Sequence, residues 1–129
     1  MKRYASAFLA SVALAVGLFL TTALEGSEGF LNTNHFTFSR AVALPGAELA
    51  PGTYIFERLA VTEPNIVVVR SQDRAKVYFM GFTERVERPR HLRLDTPSVA
   101  LGEARPGVAA PITTWYPIGA SRGHRFLYR

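Results

Sequence analysis

Cysteine is missing from all 129 residues. A chain without it can form no disulfide staple and cannot be anchored by acylation of a cysteine, so any folded part must rest on its apolar core. Lysine is almost missing too: beyond the first few residues only Lys76 occurs, and nearly all positive charge is arginine. The formal net charge of +5 falls to +3 when Lys2 and Arg3 are set aside. An excess of that size favours solubility and weak attraction to anionic surfaces, well short of a dedicated nucleic-acid face. Nucleic acid is therefore not expected as a partner. A third absence concerns pattern. After residue 24 apolar side chains do not recur at helical spacing, which argues against a bundle or a βαβ architecture.

What is present begins with a leader. Lys2 and Arg3 precede a dense apolar run from Phe8 to Leu20, and the small residues Thr21, Thr22 and Ala23 follow. That order of charged, apolar and small regions is the pattern of a secretory signal peptide. The apolar run would rise only about 20 Å as a helix, less than the roughly 30 Å of a bilayer core. Residues 1–23 are expected to be a signal peptide cleaved after Ala23, and the protein to be exported to the periplasm or beyond. The alternative is an uncleaved anchor, because no charge falls between Arg3 and Glu25; a membrane would then be a partner through the leader alone. Residues 24–33, with Glu25-Gly26-Ser27-Glu28-Gly29, have the composition of a linker. The remaining residues, 34–129, suffice for one domain with a modest core.

Within that domain the stretch from Pro45 to Glu57 is the organising element. Its two Pro-Gly pairs, Pro45-Gly46 and Pro51-Gly52, are turn signals, and the second feeds the β-branched and aromatic run Thr53-Tyr54-Ile55-Phe56. Upstream, Phe36, Phe38, Val42 and Leu44 share one face, interrupted at Arg40, where a bulge, an edge crossing or equally a snorkelling side chain is expected. Ile66-Val67-Val68-Val69 reads as a buried strand, and the polar reversal Ser71-Gln72-Asp73-Arg74 joins it to Ala75–Phe82 in a hairpin. Glu84 to Asp95 mixes charges of both signs around Pro89 and reads as a twisted or edge hairpin. Val99 to Leu101 is a short strand in a proline-rich and glycine-rich connection. Ile112–Ile118 and His124–Tyr128 close the domain as a hairpin carrying Trp115, Tyr116, Phe126 and Tyr128. About seven to nine short strands predict an all-β fold, a single antiparallel β-sandwich or a small barrel.

The run Phe36-Thr37-Phe38-Ser39-Arg40-Ala41-Val42-Ala43-Leu44-Pro45-Gly46, followed by Leu49-Ala50-Pro51-Gly52-Thr53-Tyr54-Ile55-Phe56, Asn65-Ile66-Val67 and Trp115-Tyr116-Pro117 with Phe126 and Tyr128, resembles a family of small exported bacterial all-β proteins. Members pair a leader with one such domain. The resemblance spans Phe36 to Tyr128 and rests on turn and core residues, so it implies fold and export. It transfers no catalytic residue, because the family carries no assigned activity. Glu84–Asp95 and Thr96–Pro111 depart most from the pattern.

Candidate chemistry is sparse. Gly119-Ala120-Ser121-Arg122-Gly123 has the spacing of a nucleophile elbow, and a small envelope hydrolase using Ser121 with His124 is the enzymatic alternative. Such an elbow needs a strand-to-helix turn with an acid and a histidine downstream, whereas only Arg125 to Arg129 follow His124. A hairpin loop accounts for the motif, and no catalytic residue is assigned. His35, His91 and His124 lie on separate segments without the close pairs that mark a metal site, so no metal or other cofactor is expected. Glu84 with Glu87, or Asp73 with Asp95, could do acid–base work, but neighbouring arginines would hold both members ionised. The remaining feature is a set of arginines, Arg85, Arg88, Arg90, Arg93, Arg122 and Arg125. Were they to converge, they would suit an anionic polymer, a lipid headgroup or an acidic envelope protein. The expected function is therefore a non-catalytic binding or structural role in the cell envelope. A third possibility is capture of an extended chain at an exposed sheet edge, which requires an edge strand free of proline and inward charge.

Overall fold

Alternation of apolar and polar side chains has its structural counterpart in strands throughout the computed structural model, which describes residues 33–60 and 62–129. The expected leader and nearly all of the linker lie outside the described residues. Nine strands form among those described: β1 (Thr33–Phe38), β2 (Val42–Leu44), β3 (Ala47–Leu49), β4 (Gly52–Ala60), β5 (Glu63–Ser71), β6 (Val77–Glu87), β7 (Ser98–Leu101), β8 (Ala110–Tyr116) and β9 (Arg122–Phe126). The fold is all-β. Among the described residues no helix is long and apolar enough to cross a membrane.

The strands belong to one sheet in the order β1-β4-β5-β6-β9-β8-β2-β3, with β7 also paired to β8. The sheet is mixed rather than purely antiparallel, because β2 runs parallel to β8. It does not close into a barrel: β1 and β3 end the path. The chain passes from β1, at one end of the path, to β2, next to the strand at the other end, through a bend at Ser39–Arg40. Of the readings open for Arg40, the position where the chain changes its place in the sheet is the one that matches.

The expected Glu84–Asp95 hairpin is not formed. Instead β6 runs on through Glu87, pairing β5 from Val77 to Phe82 and β9 from Thr83 to Glu87. Arg88 to Pro97 is loop. Two partners for one long strand let the charged half of β6 join the sheet, while Pro89, unable to donate to a ladder, marks where pairing stops.

One core is enclosed. Tyr54, Phe56, Val67 and Val69 from β4 and β5 pack with Val42, Leu44 and Leu49 from β2 and β3, and with Ile112, Trp115 and Phe126. Phe56 and Trp115 are fully buried, and their rings meet edge to face at 5.9 Å. Phe36 sits edge-on to Phe56 at 5.2 Å, and Phe126 meets both Phe56 and Phe79. Strand faces from distant parts of the path thus contact one another, as in two packed sheets. The Pro45-Gly46 turn joins β2 to β3 with Gly46 at φ +77°, a conformation that glycine adopts without a Cβ clash.

Candidate functional site

The structure divides the arginine set. Arg88, placed just past β6, turns its guanidinium into the loop that follows. Nη1 donates to the carbonyls of Pro117 at 2.8 Å and Ala120 at 3.0 Å. Nη2 donates to Arg93 at 2.5 Å and Thr96 at 2.7 Å, and Nε to Leu92 at 3.4 Å. The fork geometry of the group suits this task, because one planar cation satisfies carbonyls from two loops that have no ladder of their own. Arg88 is thus a fastener between the 88–97 loop and the β8–β9 connection.

The others point several ways. Arg125 pairs with Glu84 across β9 and β6, its Nε at 3.1 Å from Oε1. Arg93 pairs with Asp95, Nη2 to Oδ2 2.6 Å, and both side chains are exposed. Arg85 lies opposite His124 in the β6–β9 register, and Arg122 lies opposite Glu87. Arg90 is exposed in the loop. Of this set, three exposed guanidinium groups, Arg85, Arg90 and Arg122, are left without a carboxylate partner among the described residues.

Ser121 and His124 are not arranged as a catalytic pair. Ser121 is exposed between two strands, whereas His124 is buried in β9 with its ring stacked on Trp115 at 5.3 Å. Its Nδ1 lies 3.1 Å from Thr83 Oγ1. Burial, reinforced by the positive charges of Arg58 and Arg85, lowers the His124 pKa to about 4. The imidazole is therefore neutral at physiological pH. His35 stands on β1 and His91 in the exposed loop, and no group of three or more metal-ligating side chains occurs among the described residues. The depression beside Ser71, Gln72 and Asp73 is open to solvent. Asp73 is engaged there in the turn, accepting from Ser71 Oγ at 2.6 Å and from the Ala75 amide at 2.9 Å, bonds that lower its pKa.

Edges of the sheet offer a different kind of site. β3 has three residues, carries Glu48, and lies between Pro45 and Pro51. β7 has four residues, follows Pro97 and is irregular against β8. Short length, charge, proline and bulges are the devices that keep an edge from recruiting another strand. β1 has none of them. Its six residues, Thr-Asn-His-Phe-Thr-Phe, pair with β4 in unbroken register from Thr33↔Glu57 to Phe38↔Gly52. Among the described residues β4 is its one strand partner. Phe36 and Phe38 face the core, so His35 and Thr37 face outward by alternation. Thr37 Oγ1 meets Thr53 Oγ1 at 2.8 Å. Beside them Glu57 accepts from Arg70 at 2.6 Å and Arg74 at 3.1 Å. His35 has its pKa lowered by burial first and by Arg74 second, with Glu57 opposing.

The strand is anchored from within. Asn34 is buried, and its Oδ1 accepts from the Trp115 indole at 3.0 Å and the Ile118 amide at 3.3 Å. The sequence pattern raises the general possibility of an open edge without locating it. The signal was there in Thr33–Phe38, six residues without proline, acid, lysine or arginine, but assigning that strand to an edge needs the strand order. Comparison with protein-family models, with curated proteins and with solved structures finds no match to this chain.

Proposed function

We propose that this protein is a non-catalytic, exported β-domain of the cell envelope that works by strand addition, taking an extended polypeptide onto the β1 edge. The observation that carries this reading is the contrast among edges: β1 is six residues long, regular and uncharged, whereas β3 and β7 are short and guarded. A row of edge amides and carbonyls supplies affinity for any extended chain, while flanking side chains supply selectivity. Export is supported by the charged, apolar and small-residue order of residues 1–23, as is membership of the family of small exported β-proteins by the turn and core residues that carry the resemblance. The inward placement of His124 and the commitment of Arg88 to backbone carbonyls accord with a structural use of polar side chains.

A photoreactive amino acid placed at Thr37, with Phe82 as a control on the open face of β6, tests the reading in living cells. Polypeptide cross-links are expected from position 37, and amides of β1 should gain hydrogen-exchange protection in the isolated complex. Cross-links from position 82 with none from position 37 would overturn it.

A further inference from the structure

We infer that the chain taken up at β1 is a second copy of this protein, paired antiparallel about a two-fold axis through Phe36. The inference rests on the strand-addition reading and goes beyond it by naming the partner. Two identical edges joined into one continuous sheet keep their inner faces on the same side. Paired residue numbers must then sum to an even value, because neighbours across a ladder share a face. For Thr33–Phe38 two such registers place five of the six residues in pairs. Centring on His35 sets imidazole against imidazole and Asn34 against Phe36. Centring on Phe36 sets Phe36 against its own counterpart, Asn34 against Phe38, and His35 against Thr37. The second arrangement brings aromatic side chains together across the ladder and keeps the histidines apart.

Charge does not oppose a like partner either. β1 contains no Lys, Arg, Asp or Glu, so two copies meet there without like-charge repulsion, although the chain as a whole is basic. Phe36 and Phe38 are only partly buried where they pack against the core. A further strand beyond β1 would cover that exposed rim of the inner face, extending the same pleat that β4 begins.

Because the chain has no cysteine, introduced thiols report the register directly. In the Phe36-centred pair, residue 35 lies opposite residue 37 of the other copy at about 5 Å between Cα atoms, within disulfide reach. Residue 35 lies diagonal to its own counterpart, at about 7–8 Å. An equimolar mixture of His35→Cys and Thr37→Cys proteins, purified after expression of the full chain and mildly oxidised, should therefore give several-fold more covalent dimer than either alone. The unsubstituted protein should sediment as a dimer, and Thr37→Lys should weaken association at least tenfold while leaving the circular dichroism spectrum unchanged. Monomeric behaviour at all concentrations with no mixed disulfide would overturn the inference, as would strong cross-linking of His35→Cys alone. If the photoreactive residue at position 37 instead captures a different polypeptide while the protein stays monomeric, self-pairing fails and the edge reading survives.

Discussion

Asn34 Oδ1 accepts the indole N–H of Trp115 at 3.0 Å, tying the first strand to the eighth across 81 positions of sequence. Both groups are buried, so the bond does two things at once: it satisfies the one polar atom of the central tryptophan and fixes how β1 sits over the core. Asn34→Ala should cost about 1–3 kcal/mol, the usual penalty for a buried donor deprived of its acceptor. Urea denaturation followed by tryptophan fluorescence measures this, because the probe is the orphaned indole itself.

A glycine is required next to Tyr116. A Cβ built on Gly123 would lie 2.5 Å and 2.7 Å from two ring atoms of Tyr116 and 3.0 Å from the Trp115 carbonyl. Gly123→Ala must displace a ring held on the β8–β9 pair, and should destabilise by about 1–3 kcal/mol. Trimming the ring in a Gly123→Ala/Tyr116→Ala double variant should recover part of that loss. A thermodynamic cycle built from the four proteins gives the coupling, and strict additivity would contradict the contact.

Arg88 gives a third expectation. Replacing it by Lys retains the charge but loses the planar fork, leaving several of the carbonyls of Leu92, Arg93, Thr96, Pro117 and Ala120 without their donor. A loss of about 2 kcal/mol is expected from bonds to a charged donor. Hydrogen exchange should quicken at the amide of Gly119, which bonds the Leu94 carbonyl, and at that of Leu92. Arg90→Ser, exposed in the same loop, should leave both exchange and stability unchanged.

Stability should fall with acid in a window set by His124. Its pKa is about 4 in the folded protein against 6.5 for the free side chain, so between those values the unfolded chain holds a proton that the native one does not. Stability is therefore complete above pH 6.5 and declines as pH drops toward 4, by up to about 1.4 kcal/mol per unit. His35, also lowered, acts in the same direction. Denaturation midpoints of the parent and of His124→Gln, measured from pH 7.5 to 4, should converge as the pH falls. Parallel curves would assign the acid sensitivity elsewhere.

Much of this architecture can be read from residue order, and the exceptions have a common physical origin. Phe36 and Phe38, the β-branched run from Ile66 to Val69, and the hairpins around Ser71–Arg74 and Gly119–Gly123 all declare themselves locally, through two-residue periodicity and turn chemistry. Glu84–Glu87 was expected to begin a separate hairpin because its charges resemble a solvated edge. It is instead the second half of β6, and Glu84 is matched by Arg125 on a strand reached only after a long connection. The parallel pairing of Val42 with Ala110 is likewise set by packing between segments remote in sequence, which alternation within a strand cannot report. Arg88 looked like part of an anion site because a charge near other charges is a surface pattern. That its donors turn onto backbone carbonyls depends on where two loops come to rest.

β6 belongs to both halves of the sheet, and β9 is the strand that links it to β8. Until residues 122–126 are in place, no ladder joins the β4–β5 side of the molecule to the β8–β2 side. Folding must therefore wait on β9 and proceed slowly through pairings of large sequence separation. Shortening the protein by its last dozen residues would consequently yield no smaller native unit, only two half-built layers with bare tryptophan and phenylalanine between them.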